Sequence, residues 1–256
     1  MTELKYFQAI TSALRDELAR DEAVFLMGED VGQPDGIYAQ TRGLQQEFGP
    51  ARVRDTPAGE TGFMGAAVGA AATGLRPIVE ISFADFFPAC MDQVVNQIAK
   101  IRYMSGGQLS MPLTVISFGG GRLNAGPQHS GTYEAWLGSM PGLKVATPST
   151  PGDVAGMLRW AVRDDDPTFV IFHKALLQQR GEVDDELIPF GHAHTYGNGT
   201  DISIVAWGGG LRPAQQATER LVASGVEVEL IDLRSIQPLD VTRLRASIAR
   251  THRMLL

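Results

Sequence analysis

The segment Asp55-Thr56-Pro57-Ala58-Gly59-Glu60-Thr61-Gly62 puts a carboxylate on a sharp turn that runs into a stretch of small residues, Phe63 to Ala72. Pro57 and Gly59 constrain the backbone path there. Glycine costs about 1 kcal/mol against alanine inside a helix, so Gly65 and Gly69 imply that a backbone or a flat ligand comes close. Glu60, at the mouth of that helix, has two roles open to it. It can complement the helix dipole, or it can carry protons, because partial desolvation raises a carboxyl pKa toward neutrality. A second candidate is His129, in Gly126-Pro127-Gln128-His129-Ser130 after the glycine-rich loop 119–125. Loops beyond the carboxyl ends of parallel strands are where α/β sheets bind ligands. A histidine there either moves a proton near neutral pH or ties down the turn. Asp164-Asp165-Asp166 stack negative charge at a predicted helix end, where the dipole disfavours it. Solvent, an arginine or an alkali or alkaline-earth ion can compensate such acids. The glycine triplets at 119–121 and 208–210 lack the spacing of a dinucleotide fingerprint, and no phosphate-loop, HExxH or GxSxG motif occurs.

An alternation of helices and strands must position these residues. Ile10, Leu14 and Leu18 predict an amphipathic helix over 6–20, and Val24 to Gly28 a buried strand. The polar segment 29–50 reads as a functional loop or small helices. Strands are expected at 77–83, 113–118, 144–148 and 168–172, with one helix carrying Phe86, Cys90, Val94 and Ile98 at spacings of four. Ser149 or Thr150 with Pro151 starts another helix, ending near Asp164. Continuously apolar strands between helices indicate a parallel sheet covered on both faces. After a polar stretch, strands at 202–207 and 226–233 alternate with helices at 213–224 and 241–250, and Met254-Leu255-Leu256 reads as the start of a strand. That second unit is expected to be incomplete. A net charge of −7 without a basic run argues against a nucleic-acid surface. One cysteine, Cys90, excludes an internal disulfide and fits a reducing compartment. With no long apolar span and no leader pattern at Met1 to Lys5, a soluble, cytoplasmic protein is expected.

Taken together, the segments Met27 to Gly32, Arg54-Asp55-Thr56-Pro57 with Glu60, Glu80 to Phe86, Asp92-Gln93 to Lys100 and Arg102 to Gly107 resemble one family. Gly126 to Ser130, Pro141 to Val145 and Ile231 to Arg234 continue the match in order. The family is the beta subunit of the thiamine-diphosphate-dependent decarboxylase of 2-oxo acid dehydrogenase complexes, of pyruvate, branched-chain or acetoin type. The resemblance implies an α/β fold with a parallel-sheet, pyrimidine-type thiamine-diphosphate-binding domain at 1–186, a linker at 187–200 and a partial transketolase C-terminal-like domain at 201–256. It implies that the acid matching Glu60 contacts a ring nitrogen of the cofactor's aminopyrimidine and drives proton removal from the thiazolium carbon. The position matching Phe86 stacks on the pyrimidine, Glu29 lines its approach, and His129 acts in acyl transfer to a lipoyl group. A monovalent-cation site, for K⁺, maps onto Ala161, Asp164 and Asp166.

The family holds the diphosphate and Mg²⁺ through a Gly-Asp-Gly motif with a downstream Asn, and no Gly-Asp-Gly occurs here. An alpha subunit is therefore implied in an alpha2-beta2 assembly, with a 2-oxo acid as substrate and a lipoyl-bearing transacylase as acceptor. Packing against a partner helix accounts for the small residues of 62–74. The chain departs from the family pattern at Phe172 and Leu177, where an acid and an aromatic are usual, and His173-Lys174 is closest to the acetoin type. Alternatives are a self-contained thiamine enzyme of transketolase type, against which the absent motif counts, and a non-catalytic truncated remnant.

Overall fold

The computed structural model describes residues 1–32, 36–121 and 123–256. Residues 33–35, inside the segment expected to be a functional loop, and Arg122 of the glycine-rich loop lie outside the described residues. The chain opens with β1 (Thr2–Lys5), α1 (Tyr6–Arg20), β2 (Val24–Gly28), α2 (Leu44–Phe48), β3 (Val53–Asp55), α3 (Glu60–Ala72) and β4 (Arg76–Ile81). Next come α4 (Ile101–Met104), β5 (Thr114–Gly119), α5 (Glu134–Gly138), β6 (Lys144–Ala146), α6 (Pro151–Arg163), β7 (Thr168–His173) and β8 (Arg180–Val183). The rest holds β9 (His194–Tyr196), β10 (Ile202–Ala206), α7 (Leu211–Ala223), β11 (Val228–Asp232), β12 (Ser235–Gln237), α8 (Val241–Thr251) and β13 (Met254–Leu255).

The main sheet has seven strands in the order β12-β6-β7-β5-β4-β2-β3. Every neighbouring pair is parallel except β12–β6. Successive strand side chains point to opposite faces, so an uninterrupted apolar run needs cover on both. Leu26, Ile78, Ile116, Phe118 and Phe172 pack with Tyr6, Ile10 and Leu14 of α1 and Leu158 of α6. Val79, Ile81, Val115 and Phe169 pack on the other face with Met64 and Val68 of α3 and with Phe87 and Val94. The expected doubly covered parallel sheet is the one observed. α6 begins as its sequence predicts, with Thr150 as cap: its hydroxyl accepts from Asp153 N at 3.1 Å, and Thr150 N donates back to Asp153 at 3.0 Å.

The helix expected through Phe86, Cys90, Val94 and Ile98 is corrected by the structure. A 3₁₀ turn, Ala84–Cys90, contains Pro88, and a π-helical turn follows at Gln93–Ile98. Proline has no N–H to give an α ladder. The change of pitch keeps Cys90, Val94 and Ile98 buried and leaves Phe86 partly exposed at the sheet's end.

A second sheet has the order β13-β10-β11-β9, with β9 antiparallel and the other pairs parallel. β9 falls within 187–200, the stretch read as a linker. β12 leaves this unit and joins the first sheet, pairing Ser235 with Ala146. The return is anchored by Ser149 Oγ donating to Asp232 Oδ1 at 2.9 Å and by Arg234 paired to Asp153 at 2.7 Å. β1 pairs with β8 antiparallel. These short strands carry little apolar pattern, and their partners lie far away in sequence.

Candidate active site

Because β2 through β7 are parallel, the segments that follow them gather at one edge of the sheet. Glu29 comes straight after β2, the Pro57–Gly59 turn after β3, Phe83 and Phe86 after β4, His129 after β5, and Lys174 after β7. Glu60 is the first residue of α3, as its turn predicts. Glu29 Oε1 accepts the N–H of Gly59 at 3.2 Å, which sets both carboxylates at the entry of one helix. The turns lock each other: Asp55 Oδ1 accepts Gly32 N at 2.6 Å, and Thr56 N donates to Gly28 O at 3.0 Å. The Thr61 hydroxyl donates to the carbonyl of Ala89, tying α3 to the turn that carries Phe86. Cys90 lies under this junction, its thiol pushed up to about 12 by burial and by the charge of Glu60. Glu60 itself is half-buried.

The second part of the site is aromatic. The His129 imidazole meets Phe83 edge-on at 4.3 Å between ring centroids and Phe86 at 5.6 Å. Lys174 lies 5.2 Å from the centre of the Phe83 ring. Thus Glu29 pairs with the Glu60 turn, Phe86 pairs with His129, and the 84–90 turn joins the two halves.

Four residues of this edge were not singled out in the sequence as site residues: Asp85, Lys174, Glu80 and Gln40. Glu80 is 1 % exposed and accepts from Gln40 Nε2 at 2.8 Å through Oε1. Its Oε2 has no hydrogen-bond partner among the described residues. Burial pushes its carboxyl up to about 7, against the Gln40 hydrogen bond. An acid inside Ile78-Val79-Glu80-Ile81 was the available signal, since a charge in a buried strand is costly.

The glycine triplets serve packing. A Cβ on Gly120, whose φ is +82°, would lie 2.1 Å from His173 Nε2, and one on Gly209 would lie 2.6 Å from the same ring. His173 is sandwiched between them.

Ala161, Asp164 and Asp166 lie at the opposite edge, beside the first residues of β6 and β7. Lys144 Nζ sits 2.6 Å from Asp164 Oδ2 and 3.1 Å from Asp166 Oδ2, and Arg102 pairs with Asp166. Arg76 takes the Asp164 carbonyl at 2.6 Å, while the Ala161 carbonyl accepts Asp164 N at 3.2 Å. Protein cations already answer these acids. No group of three His, Cys, Asp or Glu among the described residues is arranged to hold a metal ion. Asp164 and Asp166, the carboxylates matched to the K⁺ site, are thus held by Lys144 and Arg102. No helix among the described residues is long and apolar enough to cross a membrane.

Residues 2–180 match the family described as transketolase, pyrimidine binding domain, and residues 191–256 the transketolase C-terminal domain. The 2-oxoisovalerate dehydrogenase subunit beta of Bacillus subtilis is 40% identical, covering 100% of this chain and 79% of that protein. The pyruvate dehydrogenase E1 component subunit beta of the same organism is 41% identical over 99% of this chain and 79% of its own length. The acetoin:2,6-dichlorophenolindophenol oxidoreductase subunit beta of that organism is 41% identical, over 97% and 77%. A solved chain titled split gene transketolase, inactive beta4 tetramer, superposes with TM-score 0.78 at 20% identity, covering 96% of this chain and 77% of that one. That last likeness concerns the fold. With identities of this size over the whole chain, and with both transketolase domains in order, the chain belongs to the family of 2-oxo acid dehydrogenase beta subunits.

Proposed function

We propose that this chain is the catalytic beta half of a thiamine-diphosphate-dependent 2-oxo acid dehydrogenase. It works with an alpha subunit in an alpha2-beta2 assembly and delivers the acyl group to a lipoyl-bearing transacylase. The observation that carries the reading is the pairing of Glu29 with the Gly59–Glu60 helix entry, joined through one turn to the Phe86–His129 aromatic pair. A half-buried carboxyl, a second acid beside it and a partly exposed aromatic ring form a donor set that suits a protonatable aromatic heterocycle. Glu60 would hold a ring nitrogen and exchange a proton with it, Phe86 would face the ring, and Glu29 would line its approach. When bound, thiamine diphosphate supplies the electron sink for decarboxylation. His129 would move the proton required as the acyl group passes to the lipoyl sulfur. With no Gly-Asp-Gly in the chain, the diphosphate and Mg²⁺ fall to the alpha subunit. The single buried cysteine, Cys90, suits a reducing cytoplasmic setting.

The test is Glu60→Gln in the enzyme reconstituted with its alpha subunit, assayed for decarboxylation with 2,6-dichlorophenolindophenol as acceptor. Losing a general acid–base is expected to lower the rate by roughly 10²–10⁴-fold. An unchanged rate sinks the assignment. Pyruvate, 2-oxoisovalerate and acetoin are compared by dye reduction, which reads acetoin cleavage as well as decarboxylation of the two 2-oxo acids, because relatives of all three types are similar to equal extents.

A further inference from the structure

The strand order places β5 between β4 and β7, so the loop that carries His129 emerges between the loops that follow those two strands. Each neighbour sends in one charged side chain. From the β7 side, buried Lys174 donates through Nζ to the backbone carbonyl of His129. From the β4 side, the Asp85 carboxylate accepts the N–H of Gly131, at 3.0 Å to Oδ1 and 3.1 Å to Oδ2. Gly120 N then closes the segment by donating to Gly131 O at 2.9 Å. A Cβ at Gly131 would stand 2.4 Å from Asp85 Oδ1, so a larger residue there would have to displace the carboxylate from its present position. The stretch 123–128 just before is exposed, and it is held to 129–130 by local turn bonds: His129 N and Ser130 Oγ both donate to Gly126 O, the latter at 2.8 Å. Charge-assisted bonds are roughly twice as strong as neutral ones.

We infer that Lys174 and Asp85 are positioning residues that clamp the His129–Gly131 backbone from both sides and so hold the imidazole against Phe83 and Phe86. Neither needs to touch the reacting atoms. Burial pushes the Lys174 ammonium below its ordinary value, with the Asp85 charge opposing. The catalytic consequence rests on the role given to His129 above, while the clamp is a property of the chain alone.

Two measurements separate them. In the first, the His129 ring C–H resonance and the exchange of the Gly131 amide are followed in Lys174→Met, Asp85→Ala and Lys174→Arg. Loss of the clamp is expected to move the His129 signal out of the ring-current field of Phe83 and to deprotect Gly131, with Lys174→Arg close to the parent. In the second, the enzyme assembled with its alpha subunit is assayed with pyruvate and 2-oxoisovalerate for acyl transfer and for decarboxylation. The ratio of acyl transfer to decarboxylation is expected to fall by roughly ten- to a hundredfold in Lys174→Met, the cost of a misplaced group. Unchanged resonance and exchange in both Lys174→Met and Asp85→Ala overturn the clamp. If His129→Ala leaves acyl transfer intact while Lys174→Met still shifts the resonance, the role of His129 is overturned and the positioning stands.

Discussion

Replacing Glu80 by glutamine should make the protein more stable in mild alkali. Glu80 is 1 % exposed, holds one hydrogen bond from Gln40 and leaves Oε2 without a partner among the described residues. Burial lifts its carboxyl from the ordinary 4.5 to about 7. A group whose folded value is raised contributes stability that is complete below the unfolded value and is lost as pH rises through the folded one. Between these two limits the loss amounts to about 3 kcal/mol, at roughly 1.4 kcal/mol per tenfold. About a third to a half of that is already gone near pH 5.5, so roughly 2 kcal/mol more disappears between about pH 5.5 and pH 8.5. Glutamine imitates the protonated acid, keeps a carbonyl for Gln40 and has no proton to lose in this range. Urea unfolding of parent and Glu80→Gln at both pH values reads the difference directly, because every other titrating group is common to the two proteins. The variant should gain roughly 2 kcal/mol on the parent as pH rises across that window. A difference that stays constant with pH refutes the buried, proton-bound Glu80.

Two further outcomes test the scaffold. Gly120→Ala should destabilise the protein by more than about 2 kcal/mol, since φ is +82° and the new Cβ meets His173. The adjacent Gly121→Ala, with nothing within 4 Å of the added carbon among the described residues, should be near neutral, and thermal unfolding compares them. Thr150→Ala removes the side chain that caps α6 and should cost about 1 kcal/mol, with Thr150→Ser restoring the parent in the same denaturant series.

Much of the candidate site was legible one segment at a time. Glu60 could be placed at a helix start because Pro57 and Gly59 encode a turn through local backbone preferences. The cap at Thr150 could be read because its partner, Asp153, is three residues away. The reading failed where spacing had a different cause. Phe86, Cys90, Val94 and Ile98 recur every four residues, yet Pro88 breaks the ladder and a π-helical turn follows. The acids at 164–166 left arginine, solvent or a metal ion open as compensation. The partners observed, Lys144 about twenty residues upstream and Arg102 more than sixty upstream, lie too far away in sequence for a local pattern to name them.

The sequence by itself indicated most of the alternating helices and strands, the two-sided apolar character of the main sheet, and Glu60 and His129 as candidate site residues. Hydrophobic period, turn residues and caps act within a few residues of each other, so a linear reading captures them. Tertiary structure alone decided which loops became neighbours. Only the order β7-β5-β4 puts Lys174 and Asp85, 89 residues apart by their own numbers, on either side of one loop. Strand order is set by how apolar faces are buried across the whole sheet, a sum over contacts that no local pattern records. Glu80 was decided in the same way, because its protonation follows from the protein packed above it.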